Sequence, residues 1–188
     1  KELVQLNLSL EGKVADRTRA LSEANLHLEE LALTDVLTGL PNRRHAMRSL
    51  ADQWDDAVRD GTPLVCTMID ADHFKAVNDN HGHPVGDRVL LAMANTFTQM
   101  VRSDDFLARY GGEEFVILMP ETDIAQARHI AQRLCDRIRE EPIFHNDGRP
   151  LPKVTVSVGL ADTASSQEPV ELLGRADAAL YRAKQAGR

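Results

Sequence analysis

Arg109-Tyr110-Gly111-Gly112-Glu113-Glu114-Phe115 is the stretch on which the fold turns. Phe106-Leu107-Ala108-Arg109-Tyr110 before it and Phe115-Val116-Ile117-Leu118-Met119 after it both have strand composition. The glycines and acids between them therefore predict a short hairpin. Paired glycines allow positive φ and leave no side chain to obstruct a ligand. Adjacent carboxylates repel each other, a strain that a cation or a bound proton relieves. By itself the tetrad fits a polar surface turn as well as a cation site.

The next clue lies about forty residues upstream. Pro63-Leu64-Val65-Cys66-Thr67-Met68-Ile69 is an apolar run of strand length that ends in Asp70-Ala71-Asp72. Acids at the end of a buried strand suit a divalent cation, and Mg²⁺ is commonly held by one or two carboxylates plus substrate phosphates. If the two strands are neighbours, Asp70 and Glu113 meet. Asp72 reads equally well as the N-cap of a helix starting near His73.

Around these strands the pattern predicts a helix opened by Pro41 and Asn42, with Met47, Leu50, Trp54 and Val58 facing inward, and ended by Asp60-Gly61. A short helix is expected through Asn78, then a loop over Gly82 to Gly86. A helix from Asp87 to about Val101 follows, with Val89, Leu90, Met93 and Phe97 inward and Asp87 as its alternative N-cap. Residues 124–140 form an amphipathic helix, residues 154–160 a strand and residues 170–186 the last helix. Residues 144–153 read as a surface turn or small hairpin. The order β-α-α-β-β-α-β-α predicts an α+β domain, an antiparallel sheet with helices over one face.

Residues 1–33 carry a different signal. Leu3, Leu10, Arg17, Ala24 and Leu31 form one seven-residue series, and Asn7, Val14, Leu21 and Leu28 form a second, offset by four. This heptad seam has two polar positions, Asn7 and Arg17, of the kind that fix register at some cost in stability. A lone amphipathic helix folded on the domain is the alternative. An isolated helix of this length is marginal in water, so pairing with a second copy is the expected state. With Lys1 rather than methionine first, an excised fragment is expected, with domain boundaries expected at 1–33 and 34–188.

A formal net charge of -7 excludes a general nucleic-acid binder, which needs a basic surface. Cys66 and Cys135 lack metal-site spacing and read as buried thiols in a reducing, cytoplasmic setting. His81 and His83 lack the further ligands of a zinc site. No apolar run is long enough to span a bilayer, so no membrane contact is expected of this fragment.

Taken together, the motifs resemble the GGDEF family of diguanylate cyclases, with Gly111-Gly112-Glu113-Glu114-Phe115 as the signature. Asp35-Val36-Leu37-Thr38-Gly39-Leu40-Pro41-Asn42-Arg43-Arg44 is similar to the family's opening segment. Asp70 to Asp79 is similar to its metal and substrate segment, and Gly82-His83-Pro84-Val85-Gly86-Asp87 to its base-recognition loop. Val156-Ser157-Val158-Gly159 and Arg175 to Lys184 resemble its closing strand and helix. Several ordered motifs at the right spacing are far more specific than one.

The resemblance implies a palm-like antiparallel fold and condensation of two GTP into cyclic di-GMP, a bacterial second messenger. It implies two Mg²⁺ ions per active site, with Mn²⁺ as a substitute, held by Asp70, Glu113 and the Ala71 carbonyl. Glu113 or Glu114 then accepts the 3′-hydroxyl proton, and Lys75 stabilises charge on the phosphates. Asn78 and Asp87 recognise guanine beside His83, Leu37 and Leu40 wall the pocket, and Lys184 and Arg188 contact the triphosphate. Arg102 and Asp105, joined by Arg133, match the family's product-inhibition site, although an Arg and an Asp three apart also form ordinary surface pairs. The family works as a homodimer, which gives the heptad seam its expected partner.

Overall fold

The computed structural model describes residue 17 and residues 33–144, 148–151 and 153–187. The heptad seam, apart from an exposed, helical Arg17, lies outside the described residues, as does Arg188. Four strands form one sheet: β1 (Leu64–Ala71), β2 (Phe106–Arg109), β3 (Glu114–Pro120) and β4 (Val156–Asp162). Their spatial order is β2-β3-β1-β4, and every neighbouring pair is antiparallel. The helices are α1 (Arg43–Asp60), α2 (Phe74–His81), α3 (His83–Met100), α4 (Ile124–Glu140) and α5 (Pro169–Gln185).

Strand β1 is buried along its whole length, as expected of a central strand with both faces covered. Its alternate residues divide between two cores. Val65, Ile69 and Ala71 pack with α3 and α4, including Met93, Phe97 and Leu134. Leu64, Cys66 and Met68 pack with α1 and α5, including Leu50, Trp54, Leu172 and Leu180. Helices therefore cover both faces of the sheet, not one. The reason is visible in β1, whose near-continuous apolar run has no polar face to leave in water.

Most predicted elements are present, with informative departures. Helix α1 is capped by Asn42, whose Oδ1 accepts from the Arg44 and His45 amides, and ends at Gly61 with φ 66°. Its inward face passes through Ala57, while Val58 is 63% exposed. Residues 82–86 are not a loop: only Gly82 breaks the chain, and α3 begins at His83 with Pro84 in its first turn, where a missing amide hydrogen costs nothing. Asp87 is therefore inside the helix rather than its cap. Gly86 belongs there for steric reasons, because a Cβ would collide with Oδ1 of Asn78. Helix α4 carries a full capping box between Asp123 and Gln126. The segment after it turns back through a Phe144–Pro150 bridge.

Both cysteines are free, Cys66 buried and Cys135 only half-buried. Burial pushes the Cys66 thiol up to about 12.

Candidate active site

The C-terminal end of β1 and the start of β3 meet at one end of the sheet. Their register sets Asp70 directly opposite Glu114, and residues opposite one another in an antiparallel pair project from the same face. The register thus gives Asp70 the neighbour Glu114, whereas Glu113 lies one step further, its carbonyl accepting from the Ala71 amide at 3.2 Å. Asp70 is 6% exposed. Its Oδ2 lies 2.7 Å from Nζ of Lys184, near the end of α5.

Glu114 is half-buried beside acids. Burial, with the negative charges of Asp70, Asp177 and Glu113, holds its carboxyl above the ordinary glutamate range, against the opposing pull of Lys184. Asp177 projects from α5 into the same cleft of about 340 Å³, which Tyr181 and Lys184 also line. Sequence reading did not single out Asp177. Its position seven residues before Lys184, two helical turns away on one face, was the available signal.

The tip is tighter than a glycine pair alone implies. The Tyr110 and Gly111 amides both donate to the Glu114 carbonyl, at 2.7 and 3.2 Å. Neither Gly111 nor Gly112 has positive φ. A Cβ at Gly111 would meet Oε2 of Glu114, so any larger residue there would displace that carboxylate.

Asp72 does not cap α2. The N-cap position is His73, in the left-handed region with φ 56° and without a side-chain cap. Asp72 is buried and accepts from the hydroxyls of Thr155 and Ser157, each at 2.7 Å, while its amide donates to the Thr155 carbonyl. It fastens the end of β1 to β4 and its approach, and the chain turns at His73 into α2.

The predicted substrate residues lie along α2 and the start of α3. Lys75, His83 and Asp87 are exposed, and Asn78 is half-buried. Oδ1 of Asn78 is buried without a hydrogen-bond partner, an acceptor that a ligand N–H would satisfy. Leu37 and Leu40, like Phe74 and Val77, are partly buried and pack against the core cluster. A separate cavity of about 190 Å³ lies on the other side of α2, lined by His73, Val77, His81 and Leu151, and holds none of these predicted residues.

Arg102 and Asp105 lie at the far end of β2 from the tip. Four strand residues separate the two places, roughly 15 Å at the usual rise. Asp105 closes a turn by accepting from the Arg102 amide at 2.8 Å, and its own amide donates to the Arg102 carbonyl. No ion pair joins the two side chains among the described residues. The guanidinium of Arg102 is exposed, as is Arg133 on α4.

The oxygen-rich edge fits a hard divalent cation. Two carboxylates opposite one another, Asp70 and Glu114, the latter's pKa raised by burial and by neighbouring negative charge, form a donor set of the kind that a divalent cation completes with phosphate oxygens and water. Among the described residues no three His, Cys, Asp or Glu side chains converge as a self-sufficient metal cluster. No helix among them is long and apolar enough to cross a membrane.

Residues 32–188 match the family described as "Diguanylate cyclase, GGDEF domain". The response regulator PleD of Caulobacter vibrioides is 43% identical over 163 residues, 86% of this chain and 36% of PleD. The diguanylate cyclase DgcP of Pseudomonas aeruginosa is 44% identical over 165 residues, 86% of this chain and 24% of DgcP. The chain thus spans about a third or less of these relatives. The crystal structure of the coiled coil and GGDEF domain of DgcB from Caulobacter crescentus, in complex with c-di-GMP, aligns with a TM-score of 0.86 at 32% identity, covering 96% of each chain. With that family match, the sheet-edge carboxylates and the signature hairpin, the chain belongs to the GGDEF domain family of diguanylate cyclases.

Proposed function

We propose that this domain condenses two GTP molecules into cyclic di-GMP with release of two pyrophosphates, as one half of a homodimer. The observation that carries this reading is the placement of Asp70 opposite Glu114 where β1 ends and β3 begins, with Lys184 at 2.7 Å from Asp70. Asp70, Glu113 and the Ala71 carbonyl would hold two Mg²⁺ ions, which supply charge neutralisation for the triphosphate and leaving group. Among the protein's own groups, Lys75 and Lys184 bind the phosphates as cations, with Arg188 the expected third. Lys184 exchanges its bond with Asp70 for one to the substrate.

In each half-reaction the 3′-oxygen of one GTP bonds to the α-phosphorus of the other. The bond from that phosphorus to the bridging oxygen breaks, and pyrophosphate leaves with the electron pair. The hydroxyl proton passes to a carboxylate. Glu114 suits this role, since a carboxyl held above its ordinary range is the stronger base; Glu113 is the alternative. Each domain supplies one GTP, so the reaction needs two domains face to face, and holding them there is a large part of the catalysis.

Guanine is read between α2 and α3. Asn78 offers its unpaired acceptor, and Asp87 accepts from the N1 and N2 hydrogens, with His83 beside the bound nucleotide. Adenine lacks that pair of donors and would leave the carboxylate unmatched. Arg102, Asp105 and Arg133 bind the product as a feedback site: the exposed guanidinium groups meet phosphate and guanine edges. Such a cyclase draws on the cytoplasmic GTP pool.

The test is turnover of GTP with Mg²⁺ or Mn²⁺, followed by chromatography of the nucleotides. Cyclic di-GMP and pyrophosphate in a one-to-two ratio are expected. Product binding without turnover would instead identify a receptor for cyclic di-GMP.

A further inference from the structure

Arg109 makes contacts that the proposed chemistry does not use. Its Nη1 lies 3.0 and 3.1 Å from the two carboxylate oxygens of Asp35. Its Nε and Nη2 donate to one carbonyl, that of Gly112, at 3.2 and 2.7 Å. The backbone amide of the same residue donates to the Pro41 carbonyl at 2.9 Å. Asp35 is itself fixed, accepting from the amide and hydroxyl of Thr38 at 2.9 and 2.7 Å. The pair is shielded, with side chains 14% and 23% exposed.

The peptide unit is a rigid plane, so the Gly112 carbonyl and the α-carbon of Glu113 move together. A guanidinium that grips this carbonyl with two donors sets the orientation of that plane. The tip's other main-chain bonds, among the described residues, stay within the hairpin or run to Ala71. Lysine cannot replace the fork, because a single ammonium does not present two parallel donors to one group and a third to another.

We propose that Arg109 is a positioning residue that places Glu113 by holding the Gly112 peptide plane and, through Asp35, ties the hairpin tip to the turn at residues 35–40 that leads into the domain. A displacement of that turn then reaches the carboxylate edge through one side chain. The kinetic part rests on the proposed cyclase reading; the structural part does not.

The experiment compares wild type, Arg109→Lys and Asp35→Asn in the full chain, by GTP kinetics per folded molecule and by amide hydrogen exchange. Arg109→Lys is expected to lower kcat at least about tenfold, with KM for GTP changed less than about threefold. Exchange at residues 110–114 should rise at least about tenfold while α4 stays unchanged. Asp35→Asn should act in the same direction more weakly, and adding it to Arg109→Lys should cost less than about twofold more, because both act through one path. Unchanged exchange at the tip overturns the proposal, as does kcat within about twofold of wild type or a loss confined to KM. If Arg109→Lys does not fold, Asp35→Asn decides by the same criteria. A wild-type protein without turnover defeats the cyclase reading alone, since the exchange comparison still tests the tie.

Discussion

Asp35 is a half-buried carboxylate with two kinds of partner. Burial alone would raise its pKa, but the Thr38 hydrogen bonds and the Arg109 guanidinium outweigh it, leaving the carboxyl below the ordinary aspartate range. A group depressed in the folded state stabilises the protein above its unfolded pKa, about 3.9, and loses that contribution as pH falls through the folded value. Asp35→Asn should therefore lower the urea midpoint at about pH 6, and the gap from wild type should narrow as pH falls below the unfolded value of about 3.9. A gap that stays constant over that range would show that the carboxylate's charge is not what stabilises the turn. At the sheet edge, Asp70→Ala or Glu113→Ala should reduce cyclic di-GMP formation by roughly a hundredfold or more, the usual cost of a lost electrostatic contact in a site. Circular dichroism should remain native. More than about a tenth of wild-type activity would remove these residues from the metal assignment.

Which residues were legible depended on whether the signal was local. Asp70 and the acids at residues 113–114 stand at the ends of apolar runs, so position alone marked them. The Asp35–Arg109 pair joins residues 74 apart, and no period in the chain predicts it. Asp72 was misread because a short polar residue before a helix usually caps it, and the hydroxyls that claim it lie more than 80 residues downstream.

Among the elements, the long helices and the hairpin followed from periodicity, whereas the break between α2 and α3 did not. Gly82, Pro84 and Gly86 together look like a loop, yet one glycine makes the turn, proline fits a first helical turn, and the second glycine makes room for Asn78. Helices on both faces of the sheet were missed because each amphipathic stripe says that a helix packs, not on which side. The turn before β2 carries its own prediction. Arg102→Ala should leave initial rates near wild type but remove the slowing that develops as product accumulates, and calorimetry should show product binding weakened by about 2 kcal/mol or more. Unchanged inhibition would reduce Arg102 to a surface residue, since Asp105 holds its backbone rather than its side chain.

For the whole molecule, the question is what brings two carboxylate edges together. The heptad seam of residues 1–33 is the evident device in the sequence. Removing residues 1–30 should lower specific activity most at low protein concentration, with recovery as concentration rises. Leu21→Asp with Leu28→Asp should do the same, because like charges at facing seam positions oppose pairing. Full activity of the shortened chain at nanomolar concentration would show that the domains associate unaided.

Gly159 has a consequence at this scale. A Cβ there would run into the main chain of α5 at Ala176 and Leu180, so helix and strand touch backbone to backbone at that point. The contact works as a fulcrum. Lys184 stands one turn beyond Leu180, roughly 6 Å further along the axis, toward the end of the helix. The ammonium therefore reaches Asp70 only while the beam lies flat. A methyl group at position 159 would lift the whole arm, so a change at mid-strand would be felt first as a lost grip on phosphate, several residues from where it was made.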